Sequence, residues 1–333
     1  MRAPAFWRET GGAALLLAPL GQVYGALAAR RMARAGERAD VPVLCVGNFT
    51  AGGAGKTPTA IALADALRAL GWRPAFLSRG YGGAVREPIR VDLSRHTHQL
   101  TGDEPLLLAR HAPTVVSPDR VAGAKLAAAL GDVIVMDDGL QNPALAKDLR
   151  IAVVDGQYGV GNGRCIPAGP LRAPLAAQLG HVEAVLVIGE GAPGAEVARQ
   201  AQAAGATVLH ADLTPDPKAI AALRRDRVFA FAGIGRPDKM FDTLRDAGVT
   251  VAEQRAFPDH HRFTRADAAA LLGQARTRKL TPVTTEKDLV RLRDVLAPGE
   301  ERMLRVLPVR LAFRDPAALT ALLARLPPVP ARR

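Results

Sequence analysis

One segment limits what this chain can fold into more than any other: Gly47-Asn48-Phe49-Thr50-Ala51-Gly52-Gly53-Ala54-Gly55-Lys56-Thr57-Pro58. The apolar run Pro42–Val46 leads into it and a helix-like stretch, Ala60–Leu70, leads out. Gly52, Gly53 and Gly55 let the backbone curl so that its N–H groups face phosphate oxygens. Lys56 is expected to reach the β- and γ-phosphates of ATP, and the Thr57 hydroxyl to bind Mg²⁺. Pro58 falls in the first helical turn, where a missing N–H costs nothing. Thr50, Ala51, Gly52, Gly53, Ala54, Gly55, Lys56 and Thr57 are therefore the expected nucleotide-binding residues. The general pattern G-x-x-x-x-G-K-[ST] asks for glycine where this chain carries Thr50.

Such a loop needs a second part, an acid at the end of a buried strand that holds Mg²⁺ directly or through water. Val133-Ile134-Val135-Met136-Asp137-Asp138-Gly139 supplies it. Adjacent carboxylates there repel one another unless a cation sits nearby. Asp137 is the natural metal-side acid and Asp138 can assist; the residues leave open which of them touches the metal.

Apolar runs recur along the chain at Pro74–Ser78, Thr114–Val116, Val133–Met136, Ile151–Asp155, Ala184–Ile188 and Thr207–His210, with helix-like stretches between them. Uninterrupted apolar runs suit parallel strands buried on both faces. The alternation predicts an α/β fold: a P-loop NTPase-type, mainly parallel sheet with helices on both faces. Pro215 and Pro217 break a polar stretch at 212–226, which places a boundary there. A second, smaller α/β pattern follows, with strands at Val228–Ala232, Thr250–Glu253 and Pro282–Thr284. The expected units are residues 1–38, 39–212 and 227–326, with a frayed tail from Leu326 to Arg333.

A formal net charge of +12 predicts an anionic partner. With no run of aromatics interleaved with basic residues, anionic lipid ranks above nucleic acid. Cys45 and Cys165 are the only cysteines and lie far apart, so no disulfide framework is implied. From Thr10 to Ala29 there is no charged residue, while Arg2 and Arg8 precede it and Arg30, Arg31, Arg34 and Arg38 follow. A cleaved signal peptide conflicts with the need for cytosolic ATP, and Pro19, Gln22 and the glycines weaken a full span. A helix lying in or dipping into the cytoplasmic leaflet, pinned by its arginines, fits best. The bland alternative is a helix packed on the protein's own core.

Phosphoryl transfer also needs an oriented nucleophile and positive charge. Asp103 and Glu104, in Gly102-Asp103-Glu104-Pro105, can accept or position a hydroxyl proton; an N-cap followed by a dipole-favoured acid is the structural alternative. Phe257-Pro258-Asp259-His260-His261-Arg262-Phe263 places two histidines beside an acid, a pairing suited to tuning a carboxylate across a cleft. Arg79, in Ser78-Arg79-Gly80-Tyr81-Gly82-Gly83, and Arg172, in Pro167-Ala168-Gly169-Pro170-Leu171-Arg172, are candidate phosphate clamps.

Taken together, the Asn48–Pro58 loop, Ser78–Gly83, Gly102–Pro105, Asp137–Gln141, Gly161–Arg172, Phe257–His261 and Thr285-Glu286-Lys287-Asp288 resemble the tetraacyldisaccharide 4'-kinase family of Gram-negative bacteria. These motifs occur in the family's order over nearly the whole chain. The resemblance implies transfer of the γ-phosphate of ATP to the 4'-hydroxyl of a tetraacyl glucosamine disaccharide 1-phosphate. It also implies two α/β domains flanking a cleft, with the N-terminal helix on the cytoplasmic face of the inner membrane. A monomer is expected. Asp103 would be the catalytic carboxylate, assisted by a histidine of Asp259-His260-His261. His260 is favoured because it directly follows the acid, though the spacing admits His261. With Lys56, these make the expected catalytic set, and Arg79, Glu104, Arg172 and His261 the expected substrate contacts. Thr50 fits the family's loop, whereas Ala173 stands where the family usually has Glu.

Two rivals share parts of this pattern. A partitioning-type switch ATPase would need its signature lysine at Ala51. A GTP-binding switch needs Asn-Lys-x-Asp, and in Thr285-Glu286-Lys287-Asp288 the lysine comes one place too late.

Overall fold

The computed structural model describes residues 4–9 and 11–328. Arg2 of the expected basic flank and residues 329–333 of the expected tail lie outside them. Among the described residues thirteen strands form two sheets. In chain order they are β1 (Val43–Asn48), β2 (Pro74–Ser78), β3 (Ile89–Arg90), β4 (Thr114–Val116), β5 (Val133–Asp137), β6 (Leu149–Asp155) and β7 (Ala184–Ile188). Then follow β8 (Thr207–Pro215), β9 (Arg227–Ala232), β10 (Thr250–Ala256), β11 (Thr281–Thr285), β12 (Arg305–Leu307) and β13 (Val309–Phe313).

The larger sheet runs β13-β8-β7-β6-β1-β5-β2-β4-β3, parallel except for the two outermost pairs, β13 with β8 and β3 with β4. Every residue of β1, β2, β5 and β7 is buried, which is why these strands read as continuous apolar runs. On one face Leu63, Ala64 and Leu67 of the helix Lys56–Ala69 pack on Val46, Val135 and Ile151. On the other, the helices Arg120–Ala128 and Ala192–Ala203 cover Leu77 and Met136, and Val185 and Val187.

The smaller sheet, β10-β9-β11-β12, is parallel throughout. Phe241 and Leu244 of the helix Pro237–Asp246 cover one face; Leu271 and Leu272 of the helix Arg265–Arg278 cover the other.

Two boundaries differ from the expectation. The stretch at 212–226 is no linker: β8 continues to Pro215, and Asp216 caps a helix, Pro217–Leu223, by accepting from the N–H groups of Lys218 and Ala219. Nor does the smaller unit extend to 326. After β12 the chain returns, β13 pairs with β8, and Leu319, Leu322 and Leu323 of the helix Pro316–Leu323 join the larger core. The two crossings run side by side, with the Asp216 N–H donating to the Pro308 carbonyl at 2.9 Å.

The N-terminal segment forms the helices Gly12–Leu16 and Ala18–Met32. Gly21, Gly25, Ala28 and Met32 face the protein, and a Cβ on Gly21 would stand 2.7 Å from the Cys165 carbonyl oxygen. Leu15, Leu16, Leu20, Val23 and Leu27 face outward. Among the described residues no helix is long and apolar enough to cross a membrane.

Candidate active site

The P-loop sits at the carboxyl end of β1, where open α/β sheets receive ligands. Gly52 and Gly55 adopt φ of 118° and 88°, a region side chains disfavour. Thr50 needs no such freedom. It forms an antiparallel bridge with Leu171, and the Ala51 N–H donates to the Pro170 carbonyl at 2.8 Å. The 165–172 segment thus props the loop from outside, so glycine at position 50 is dispensable. Ala54 packs on the larger core, while the surface of Gly53 is open. Lys56 opens the helix; its Nζ lies 3.3 Å from Asn48 Oδ1 and 3.8 Å from Asp138. Asn48 in turn donates to the Gly52 carbonyl at 3.0 Å, fixing the loop against its own strand.

Asp137 and Asp138 are neighbours in sequence with opposite surroundings. Asp138, at φ 54°, receives the Arg172 guanidinium at 2.7 and 3.2 Å. Burial pushes its pKa up, but Lys56 and Arg172 outweigh that and hold it below the usual value. Asp137 ends β5 beside Val46 of β1, and among the described residues neither of its buried oxygens has a hydrogen-bond partner. Burial, with Glu104 and Asp138 adding negative charge, raises its pKa to about 7 despite Lys56. A buried carboxylate without partners beside a phosphate cradle fits a divalent cation, with the Thr57 hydroxyl as the natural second ligand.

Arg172 is placed differently from the expected substrate clamp. Its guanidinium is committed to Asp138, to the Thr50 carbonyl at 3.1 Å and to Gln141 at 3.3 Å. Gln141 donates to the Asn48 carbonyl and to Gln178, so the whole group braces the loop from beneath. Arg79 is exposed beyond the end of β2, with no ion pair among the described residues.

Asp103 begins a short helix, Asp103–Leu108, immediately after Gly102, whose φ is 85°. A Cβ on Gly102 would stand 2.6 Å from the Tyr81 carbonyl oxygen, so the 79–83 loop packs directly under the acid. Asp103 is 4% exposed and its Oδ1 accepts the Glu104 N–H at 2.9 Å. The smaller unit supplies its other neighbours. His260 Nδ1 lies 3.1 Å, Arg291 Nε 3.5 Å and Lys287 Nζ 3.9 Å from Asp103 Oδ2. Burial alone would raise the pKa of this carboxyl; the His260 hydrogen bond and the Lys287 and Arg291 charges overcome it and hold the group well below the usual carboxylate range.

His260 and His261 part company. His260 adopts φ 54°, and its ring is met edge-on by Tyr81 at 5.8 Å. His261 turns into the smaller unit, stacking on Phe257 at 4.7 Å with Nε2 3.5 Å from Asp267. Its described ring contacts are with Phe257, Phe263 and Asp267 rather than with Asp103. Glu104 reaches Lys287 at 3.2 Å.

Three residues of this cluster had no role assigned from the sequence: Lys287 and Asp288, noted there only as part of the Thr285–Asp288 motif, and Arg291. Lys287 and Arg291 stand one helical turn apart on the helix Glu286–Arg293 and face Asp103 together. Asp288 is fully buried, accepting from the Gly233 N–H, the Thr285 hydroxyl and Arg291. Thr285 three residues before an acid marks a helix start, and a basic pair at i and i+4 after it was the available signal.

Residues 13–327 match the sequence model of the LpxK family, described as tetraacyldisaccharide-1-P 4'-kinase. A tetraacyldisaccharide 4'-kinase of Methylobacterium nodulans is 58% identical over 99% of this chain and 98% of the relative. One of a Bradyrhizobium species is 52% identical over 97% and 95%. The crystal structure of LpxK from Aquifex aeolicus in complex with ATP superposes with a TM-score of 0.72 at 26% identity, covering 94% of this chain and 98% of that one. With its loop, its paired acids and its two sheets accounted for, the chain belongs to the tetraacyldisaccharide-1-P 4'-kinase (LpxK) family.

Proposed function

We propose that this chain transfers the γ-phosphate of ATP to the 4'-hydroxyl of a tetraacyl glucosamine disaccharide 1-phosphate, at the cytoplasmic face of the inner membrane. The observation that carries the reading is the contact between Asp103 and His260, which joins the two units over a buried, ionised carboxylate. The relatives' names and the ATP complex of the Aquifex aeolicus protein support it.

In this reading the loop N–H groups and Lys56 hold the phosphate oxygens. Thr57 and Asp137 would hold Mg²⁺, which when bound offsets negative charge on the β- and γ-phosphate oxygens. Asp103 accepts a hydrogen bond from the sugar hydroxyl and orients it in line. As the hydroxyl oxygen bonds to the γ-phosphorus, the bond from phosphorus to the β–γ bridging oxygen breaks and ADP leaves. The hydroxyl proton passes to Asp103. A carboxylate with a depressed pKa is a weak base, so its contribution is mainly orientation, which suits a loose transition state in which the proton moves late. His260 keeps that carboxylate in place. Arg79, exposed at the same edge, is free to meet acceptor phosphate.

The outward stripe of Leu16, Leu20, Val23 and Leu27, followed by Arg30, Arg31 and Arg34, suits an anionic bilayer surface. Its helix packs on the segment that braces the P-loop, so membrane docking and nucleotide site share one rigid support. A single chain supplies every residue named, which suits a monomer. The partitioning-type switch lacks its lysine, and the N–H of the residue there, Ala51, is tied to Pro170.

The test is incubation with γ-labelled ATP and the tetraacyl disaccharide 1-phosphate. Label is expected in a glycolipid bisphosphate; label found only in free phosphate would overturn the reading.

A further inference from the structure

His260 is held from both sides, and the second side has no part in the chemistry described so far. Its Nδ1 faces Asp103, while its Nε2 lies 3.3 Å from the Nζ of Lys287. Lys287 Nζ also lies 3.2 Å from Glu104 Oε1 and 3.9 Å from Asp103 Oδ2. Asp259, 4.0 Å from His260 Nε2, and Tyr81, edge-on to the ring, complete the polar surroundings, with Arg291 beyond Asp103.

An ammonium has donors only. Burial works against the Lys287 charge, but Glu104 and Asp103 more than offset it, so the side chain stays protonated. A ring nitrogen at hydrogen-bond distance from an ammonium must present its lone pair. Nε2 is then the acceptor, and the proton of a neutral imidazole resides on Nδ1, where it points at Asp103. The opposite tautomer would set an N–H against the ammonium and a lone pair against a carboxylate, losing both hydrogen bonds.

We infer that Lys287 is a positioning residue of the kinase reaction: it fixes His260 as the Nδ1–H tautomer, and so keeps the imidazole donating to Asp103 and the carboxylate ionised to receive the sugar hydroxyl. The inference rests on the reading of Asp103 as the carboxylate that meets the acceptor. Lys287 reaches the site only because the helix Glu286–Arg293 docks against the helix Asp103–Leu108. The tautomer is therefore set only when the two units are together.

The experiment is ¹⁵N NMR of the full-length protein with labelled histidine, with the His260 signals assigned by their absence in His260→Gln. In the wild type, His260 is expected to carry its proton on Nδ1. In Lys287→Met, which keeps the unbranched apolar stem without the charged end, the Nδ1–H signature should give way to Nε2–H or to the doubly protonated ring. Its kcat should fall about 10²-fold with little change in KM for ATP. Lys287→Arg should restore the Nδ1–H signature. Glu104→Gln should leave the tautomer unmoved, whereas a lysine that serves only to tether Glu104 would make the Glu104 and Lys287 variants alike.

An Nε2–H tautomer in the wild type overturns the inference, as does an unchanged His260 spectrum in folded Lys287→Met. Should Lys287→Met not fold, the wild-type tautomer and the Glu104→Gln spectrum decide alone. Failure of the kinase reading would appear separately, as absent transfer to the disaccharide by the wild type, whatever the NMR shows.

Discussion

Arg172 grips Asp138 through both terminal nitrogens, at 2.7 and 3.2 Å, and so leaves its chain neighbour Asp137 as the carboxylate without a partner. Two adjacent acids are thereby set apart, one tied to the loop and one that, in the proposed reading, would face a cation.

Asp137→Asn should therefore abolish Mg²⁺-dependent turnover while stabilising the nucleotide-free protein. The folded pKa of Asp137, about 7, lies above its ordinary 3.8. The fold consequently binds the extra proton, and its stability falls as pH rises from about 4 through about 7. The variant is free of that loss, so its advantage should be absent near pH 4 and full at pH 8, about 2–4 °C in Tm per kcal/mol relieved. Thermal unfolding without nucleotide or metal checks this; a lower Tm at pH 8 would contradict the assignment.

Arg172→Ala should act in the opposite sense. It unties Asp138 and the Thr50 carbonyl together, and the lost charged hydrogen bonds should cost about 2 kcal/mol. ATP affinity should fall with stability, since the prop beneath the loop is gone. Urea unfolding and nucleotide titration of the same preparation would show the two losses together.

Asp103→Asn keeps shape and removes charge. Transfer to the acceptor should drop by about 10²-fold or more, with ATP binding retained. Because the folded pKa of Asp103 is depressed, its contribution to stability is present above the ordinary 3.8 and is lost as pH falls below it. Wild type and variant should therefore differ most at neutral pH and converge in acid. A difference that did not shrink at all between neutral pH and about pH 2 would count against the charge as its source.

Leu20 and Leu27 are 60% and 63% exposed on the outward stripe of the N-terminal helix. Replacing both with Asp should leave the fold intact and weaken binding to anionic vesicles by about 10-fold or more, as each buried leucine contributes about 1.5–3 kcal/mol. Phosphorylation of a detergent-dispersed acceptor should survive. Sedimentation with vesicles, with and without the double substitution, separates docking from catalysis.

What could be read from residue order alone was whatever the chain settles locally. The P-loop, the acids ending β5 and the buried strands of the larger sheet depend on neighbours a few positions away, and each stands where the sequence puts it. β13 did not show itself, because Val309–Phe313 is a strand only by virtue of β8, about a hundred residues earlier. Lys287 stands in the sequence only as part of the Thr285–Asp288 motif, and neither it nor Arg291 shows its role until their helix docks against the helix Asp103–Leu108. The choice between His260 and His261 turns on one backbone angle, the 54° φ of His260, which composition does not encode.

The paired crossings at Asp216 and Pro308 have one more consequence. Since the chain leaves the larger sheet and re-enters it at two residues joined by a hydrogen bond, the smaller sheet is topologically an insertion, and the described segments before 216 and after 308 belong to one body. Two adjacent tethers permit bending about a single line but resist twisting, as a strap hinge does. They also mean that the excised part need leave almost no gap. A shortened chain in which residue 216 runs directly into residue 308 would retain the nucleotide cradle, its prop and the N-terminal helix while lacking His260, Lys287 and Arg291. Such a protein should still hold ATP and should hand its phosphate to nothing.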